Sequence, residues 1–335
     1  MKAIEITAPF RLHVVERPTP HPQEGEVLLR VAYTGFCGSD LNTWRGLNAM
    51  AALPRIPGHE IGAVVEALGT GLPAGLPFAA GDVVTVNPYT ACGHCAACRR
   101  GRNHACENNE TLGVQRNGAM QEVVALPWTK IISVKGVDVR DCALIEPMSV
   151  GFHAVNRGQV TDSDTVMVIG CGMVGLGAVV AAARQGAQVI AADIDDDKLS
   201  LARLLGATYT LNTLHPDADA APLPQPDVVV EAVGSASTYR MAIDKVTFTG
   251  RVVCIGYAKQ DIALTTQLFV KKELDIRGSR NATPTDFEDV IRYLRGGFCP
   301  TDRLISAVVT PQEAANAIQH WHEAPGKVFR ILVKF

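Results

Sequence analysis

The 335-residue chain has no excess of positive charge: Lys and Arg number 31 against 34 Asp and Glu, for a net charge of −3. That removes the electrostatic footprint by which nucleic acid or an anionic membrane would be held. No continuous apolar run opens the chain either. Glu5, Pro9, Arg11 and His13 interrupt the first 20 residues, which argues against a secretory signal. One stretch approaches the length of a membrane span, the 19 uncharged residues 165–183, but its four glycines at 170, 172, 175 and 177 suit another role. Internal repeats and low-complexity tracts are absent. The nine cysteines are odd in number and locally clustered, which does not suit a disulfide framework. Cys142, Cys171, Cys254 and Cys299 sit in apolar surroundings and read as small buried hydrophobes. The expected location is therefore a reducing compartment, the cytoplasm.

The remaining cysteines form two constellations. Cys92, Cys95, Cys98 and Cys106 place four thiols in 15 residues. Four thiolates saturate a tetrahedral zinc ion and make a closed structural site; an iron–sulfur cluster is the other common use of such a set. The loop is rich in Gly, Ala and Arg and could not hold its shape by burial alone. The second constellation is Cys37-Gly38-Ser39-Asp40 followed by Gly58-His59-Glu60, with no second cysteine nearby. A mixed set of thiolate, imidazole and carboxylate suits zinc and can leave one position open for water or substrate. The third ligand must be an oxygen. Glu60 is adjacent in sequence, and Glu146, in Ile145-Glu146-Pro147, is the alternative.

The first 150 residues read as short strands with Gly/Pro punctuation, at 26–32, 62–67 and 82–86, an all-β barrel pattern. From about residue 163 strands alternate with helices, which predicts a parallel sheet covered on both faces. Strands are expected at 165–169, 188–192, 207–211, 227–232 and 251–255, with helices at about 174–185, 196–205 and 237–246. The Pro-rich run 215–226 stands in the place of a crossover helix and is expected to be a loop. A last helix at about 312–323 and a strand at 327–333 close the chain. Gly170-Cys171-Gly172-Met173-Val174-Gly175 follows the first strand of this region and opens its first helix, the setting in which backbone amides cradle a pyrophosphate. Asp193 lies 23 residues on, where a carboxylate accepts from a ribose 2′-hydroxyl. Asp193 and Asp195 would repel a 2′-phosphate and no Arg follows within that turn, so NAD is expected over NADP. Lys198 completes the candidate cofactor set of Gly170, Gly172, Met173, Val174, Gly175 and Asp193.

On these motifs the chain resembles the zinc-containing medium-chain dehydrogenases, the alcohol/polyol dehydrogenase superfamily, over essentially its whole length. It is most similar to the sorbitol, threonine, galactitol-phosphate and L-galactonate-type branch. Glu146 stands where liver-type alcohol dehydrogenases use cysteine, and the segment from Cys37 to Gly46 resembles that branch's active-site loop. The resemblance implies an α/β protein: a GroES-like β-barrel catalytic domain over 1–150 and 290–335, with a zinc lobe at 88–108, and a Rossmann domain of doubly wound parallel sheet over 151–289. It implies two zinc ions per chain, one catalytic and one structural, and a homodimer or homotetramer acting on a small molecule. The reaction implied is NAD-linked oxidation of a secondary alcohol on a polyol or sugar acid to the ketone. Ser39 would take the hydroxyl proton toward the cofactor ribose, and Trp44, Arg45 and Arg280 would reach the substrate. Two residues depart from the family pattern. Asn42 stands where a histidine often passes protons to solvent, and Ala63 where a glycine is usual, with Gly62 one place early, so a local backbone adjustment is expected. The alternatives are a threonine- or simple-alcohol-type dehydrogenase, and a non-catalytic zinc/NAD-binding sensor or interaction protein. A zinc-finger nucleic-acid binder is disfavoured by the acidic balance.

Overall fold

A computed structural model describes residues 1–215, 222–258 and 260–335. The chain divides into two compact units, Met1–Glu146 with Ile291–Phe335, and Pro147–Val290.

The first unit is built on a seven-stranded mixed sheet around Glu26–Gly35 and Glu60–Leu68, paired antiparallel. Alternation places Val27, Leu29 and Val31 on the same side as Ile61, Ala63 and Val65, where they meet Val84, Val86, Val124 and Leu126 in one apolar core. Period-two side chains of this kind are what a strand with one buried face requires. The C-terminal strand Ile331–Lys334 returns to pair antiparallel with Glu26–Gly35, so the last strand of the chain completes a sheet built from its first half. That strand starts later than the sequence suggests because Pro325 and Gly326 form a short 3-10 turn first. The helix before it likewise opens as a 3-10 turn, Pro311–Glu313, capped by Thr310, and continues as Ala314–Glu323. The β texture of this region is broken by a helix, Gly38–Trp44, inserted directly after Glu26–Gly35.

The second unit holds a six-stranded sheet, all parallel. Across it the strands run Tyr209–Asn212, Gln188–Asp193, Thr165–Ile169, Val228–Glu231, Arg251–Cys254, Asp275–Gly278. Numbered in chain order this is 3-2-1-4-5-6, the doubly wound arrangement whose ligands bind where the strand order reverses, at the carboxyl ends of the strands. The reversal lies between Thr165–Ile169 and Val228–Glu231. The apolar run at 165–183 is thus a buried strand followed by the buried helix Met173–Arg184. Among the described residues no helix is long and apolar enough to cross a membrane. Of the expected loop at 215–226, residues 216–221 lie outside the described residues, and the rest of it carries no helix or strand. The amphipathic helix Pro284–Arg295 was not anticipated.

Candidate functional site

Cys37, His59 and Glu60 come together with all three ligand atoms within 4.8 Å of one another. Cys37 is the N-cap of Gly38–Trp44, and His59 precedes the strand Glu60–Leu68. Asp40, fully buried, joins the two segments. Its Oδ2 accepts from Cys37 N at 2.9 Å and its Oδ1 from Gly58 N at 3.4 Å. Gly58 has φ of +99°, and a Cβ there would meet Thr34 and Met120 at 2.6 and 2.7 Å, so only glycine delivers His59 along this path. Gly35 is needed for a different reason: a side chain there would run into the Glu60 carboxylate. Two residues that sequence reasoning passed over complete the surroundings. Buried Arg330 lies 3.0 Å from Glu60 Oε1, but its Nη1 donates to Phe36 O at 2.5 Å, and neither Glu60 oxygen has a hydrogen-bond partner among the described residues. Buried Tyr89 donates its phenol to Glu146 Oε1.

These features fit a cation. Glu60 Oε2 and His59 Nδ1 are buried with no hydrogen-bond partner among the described residues, which is costly unless an ion meets such groups, while Glu60 Oε1 faces the Arg330 guanidinium. Burial alone lowers the affinity of His59 for a proton, yet Cys37, Glu146 and Asp40 around it hold the imidazole well above its ordinary range. A pocket that raises a histidine in this way favours positive charge. Burial pushes Glu60 up to about 7, against the pull of Arg330 and His59. Thiolate, imidazole and carboxylate are ligands suited to zinc.

The second cluster is the cysteine lobe. Cys92, Cys95, Cys98 and Cys106 also lie with their sulfurs within 4.8 Å of one another. Cys95 Sγ stands 3.5 Å from Cys98 Sγ and 3.9 Å from Cys106 Sγ, too far apart for disulfides. Cys92 N donates to Cys106 Sγ at 3.2 Å. The amides of Cys98 and Glu107 pull the Cys95 thiol down to about 6, while burial and then Cys95 push Cys98 up to about 12. Thiols this close resist ionising together unless a cation balances them, and four sulfurs leave a bound zinc no open position.

In the second unit Gly170 turns at φ of +93°, and a Cβ on Gly175 would run into the Gly170 carbonyl. Gly172 is exposed, and nothing lies within 4 Å of where its Cβ would stand, which leaves an open cradle before the helix Met173–Arg184. Asp193, at the end of Gln188–Asp193, accepts from Cys171 N at 2.6 Å through Oδ2 and from Ile194 N and Asp195 N through Oδ1. It is thereby fixed beside the glycine turn, with lone-pair capacity left for a hydroxyl donor. Met173 is buried, Val174 half-buried, and Lys198 sits in the first turn of Asp196–Leu204, its amide capped by Asp195. Buried Glu231 was missed by sequence reasoning. Its Oε1 accepts from Val233 N and Gly234 N and shapes the turn against which Gly170 packs.

Comparison with known proteins agrees with this geometry. Residues 23–136 match the alcohol dehydrogenase GroES-like domain family and residues 173–295 the zinc-binding dehydrogenase family. An uncharacterised zinc-type alcohol dehydrogenase-like protein of Haemophilus influenzae is 32% identical, covering 100% of this chain and 99% of its own. The L-galactonate-5-dehydrogenase of Escherichia coli is also 32% identical, over 91% of each chain. The crystal structure of an Escherichia coli alcohol dehydrogenase complexed with NADH superimposes with a TM-score of 0.89 at 30% identity, covering 100% of this chain and 99% of the other. The chain belongs to the zinc-containing medium-chain dehydrogenases. It is an oxidoreductase acting on CH–OH groups, with a GroES-like domain and a Rossmann domain.

The remaining expected residues of this dehydrogenase fall out unevenly. Ser39 Oγ is buried with no hydrogen-bond partner among the described residues. Trp44 is 4% exposed and packs edge-on against Phe10 and His322, so its ring is spent on the core. Arg45 is half-buried at the C-cap of Gly38–Trp44. Arg280, half-buried, belongs to the second unit, after the strand Asp275–Gly278. The displaced glycine has a clear cause: a side chain at Gly62 would run into the Val139 carbonyl. Opposite Ala63 and Gly62 the paired strand has a register shift between Val31 and Tyr33.

Proposed function

We propose that this dehydrogenase oxidises a secondary alcohol of a polyol or sugar acid with NAD. The observation that carries the reading is the ligand cluster of one thiol, one imidazole and one buried carboxylate, with Glu146 and Tyr89 beside it. In this assignment Cys37 and His59 hold the catalytic zinc, with Glu60 or Glu146 as the oxygen ligand, and the four cysteines of the lobe hold the structural one. When bound, zinc supplies Lewis-acid polarisation of the alcohol and the nicotinamide accepts the hydride. Ser39 takes the hydroxyl proton; its buried, unpartnered oxygen supports that role. Asp40 keeps Cys37 and His59 in register. Asp193 accepts from the ribose hydroxyl and repels a 2′-phosphate, which favours NAD over NADP.

For the substrate, Arg45 tilts the choice toward a sugar acid, because a guanidinium binds a carboxylate through two parallel hydrogen bonds and lysine does not. The similarity to an L-galactonate-5-dehydrogenase supports the same class. A panel of polyols, sugar acids, threonine and simple alcohols, screened for NADH formation, tests the reading. Arg45→Lys should raise KM for an acidic sugar more than for the matching polyol. Equal effects on both, or a preference for simple alcohols, would overturn the sugar-acid assignment, and NAD binding without turnover of any alcohol would overturn the enzymatic one.

A further inference from the structure

Outside the motifs, the group most firmly committed to the candidate zinc site is a tyrosine that belongs to the base of the cysteine lobe. We infer that Tyr89 is a positioning residue for the reaction: its phenol orients the Glu146 carboxylate and ties it to the hairpin from which the four-cysteine lobe springs. The inference rests on the reading of Glu146 as a group at the catalytic zinc.

Tyr89 is 7% exposed and its hydroxyl donates to Glu146 Oε1, across 57 residues of chain. Its backbone has little freedom. The Tyr89 amide donates to Asn87 Oδ1 at 3.1 Å, and its carbonyl accepts from Lys130 Nζ. Tyr89–Thr90 pairs antiparallel with Glu110–Thr111, Tyr89 opposite Thr111, and Leu112 N adds a bond to Pro88 O at 3.1 Å. This two-stranded ladder closes the loop that runs from Cys92 to Cys106. The phenol is therefore held by the same strands that hold the lobe.

The chemical consequence falls on Glu146. A glutamate has three rotatable bonds, and a carboxylate at a metal can bind through one oxygen or both. A donor fixed on Oε1 narrows that freedom: one oxygen is engaged by the phenol, and the plane of the carboxylate is set by it. Outer-sphere hydrogen bonds of this type fix the orientation of metal-ligating side chains, and losing one typically costs about ten- to hundredfold in metal affinity or activity.

The test uses the full-length zinc-loaded enzyme and Tyr89→Phe, which keeps the ring and removes only the hydroxyl. Zinc transfer to a chromophoric chelator is followed without substrate, and the visible spectrum is recorded with cobalt at the mixed-ligand site. Tyr89→Phe should release that metal about tenfold faster or more, on the scale usual for an outer-sphere contact, and should shift the cobalt bands. kcat should fall with KM little changed. Made in a Glu146→Gln background, the same substitution should add nothing, because a residue that acts through another is not additive with it. Unchanged release and spectrum in folded Tyr89→Phe, or a full effect in the Glu146→Gln background, would overturn the inference. Glu146→Gln that leaves metal release and spectrum untouched would instead sink the placement of Glu146 at the zinc. Should Tyr89→Phe fail to fold, Lys130→Met, which frees the Tyr89 carbonyl and leaves the phenol in place, should also hasten release; no change there counts against the inference.

Discussion

Asp40→Asn is the most informative single substitution at the metal site, because one buried carboxylate holds the two ligand-bearing segments together. Oδ2 receives Cys37 N at 2.9 Å and Oδ1 receives Gly58 N at 3.4 Å, one residue before His59. Asparagine preserves the shape but has a single acceptor, so its NH2 group must face one of the two amides. A hydrogen bond to a charged group contributes about 1.5–3 kcal/mol, and a buried donor left unmet costs about 1–3 kcal/mol. Removing the carboxylate also relieves its burial, which raises the Asp40 pKa more than any other influence on it. The net expectation is a loss of about 2 kcal/mol in stability, which is the middle of the range for point substitutions with a named cause. The larger effect should appear in zinc affinity. Displacing either Cys37 or His59 by a fraction of an ångström spoils the ligand set, and outer-sphere changes of this type typically cost about 10–100-fold. Equilibrium competition with a chromophoric chelator reads the affinity, and thermal unfolding with and without zinc reads the stability. Zinc affinity within about twofold of wild type would refute the reasoning, because it would mean that the Cys37 and Gly58 segments keep their places without the carboxylate.

Three further expectations follow from the same geometry. His59→Ala should abolish turnover and reduce zinc from two ions per chain to one, since the two ligand clusters are separate; metal analysis beside circular dichroism checks this, and retained activity would contradict it. Asp193→Ala should erode the preference for NAD over NADP by about tenfold or more, the worth of one hydrogen bond to a charged group; a wild-type enzyme with higher kcat/KM for NADP would remove the premise. Asp286 gives a pH signature. Burial raises its pKa, but His153 and Thr283 more than reverse this and hold the carboxyl below its ordinary value of 3.8. A depressed folded-state pKa stabilises above that ordinary value, and the contribution is lost as pH falls through the folded-state value. Melting temperature against pH should therefore fall more steeply on the acid side for wild type than for Asp286→Asn, and parallel curves would discount the carboxylate.

The nucleotide-binding half was legible because its signals are local. The strand Thr165–Ile169 falls where its β-branched run places it, and the neighbouring elements differ from expectation by a residue or two at ends set by caps. The cysteine lobe was legible for the same reason, four thiols within a single loop. Around the mixed-ligand site the sequence fails in a consistent way. Cys37 and His59 could be named, but Arg330 reaches Phe36 across 294 residues and Tyr89 reaches Glu146 across 57, and no periodicity records such pairings. Trp44 is the converse case: the family resemblance implies a substrate contact, while seven residues of helix carry the chain about 10 Å along its axis, and there the ring meets Phe10 and His322.

The displaced glycine shows how a departure from a family pattern is to be weighed. Taken alone, Ala63 in place of a glycine three residues after the strand begins at Glu60 would count against the metal site. In the fold, however, the position without room for a side chain is Gly62, which faces the Val139 carbonyl and lies 3.3 Å, by its absent Cβ, from Cys142. Ala63 is turned to the other face and fills the barrel core with Val31, Val65 and Val84. The constraint is thus the crossing of one backbone segment over another, and it is met one residue early. Ile61, Ala63 and Val65 keep their alternation into the core, and the paired strand has a register shift between Val31 and Tyr33 beside them. Glu60 pairs with Gly35, and its carboxylate lies beside His59 and Arg330. A motif requirement for backbone clearance can be met by the neighbouring position, whereas Cys37, His59 and Glu60, whose ligand atoms must converge on one point, have no such freedom.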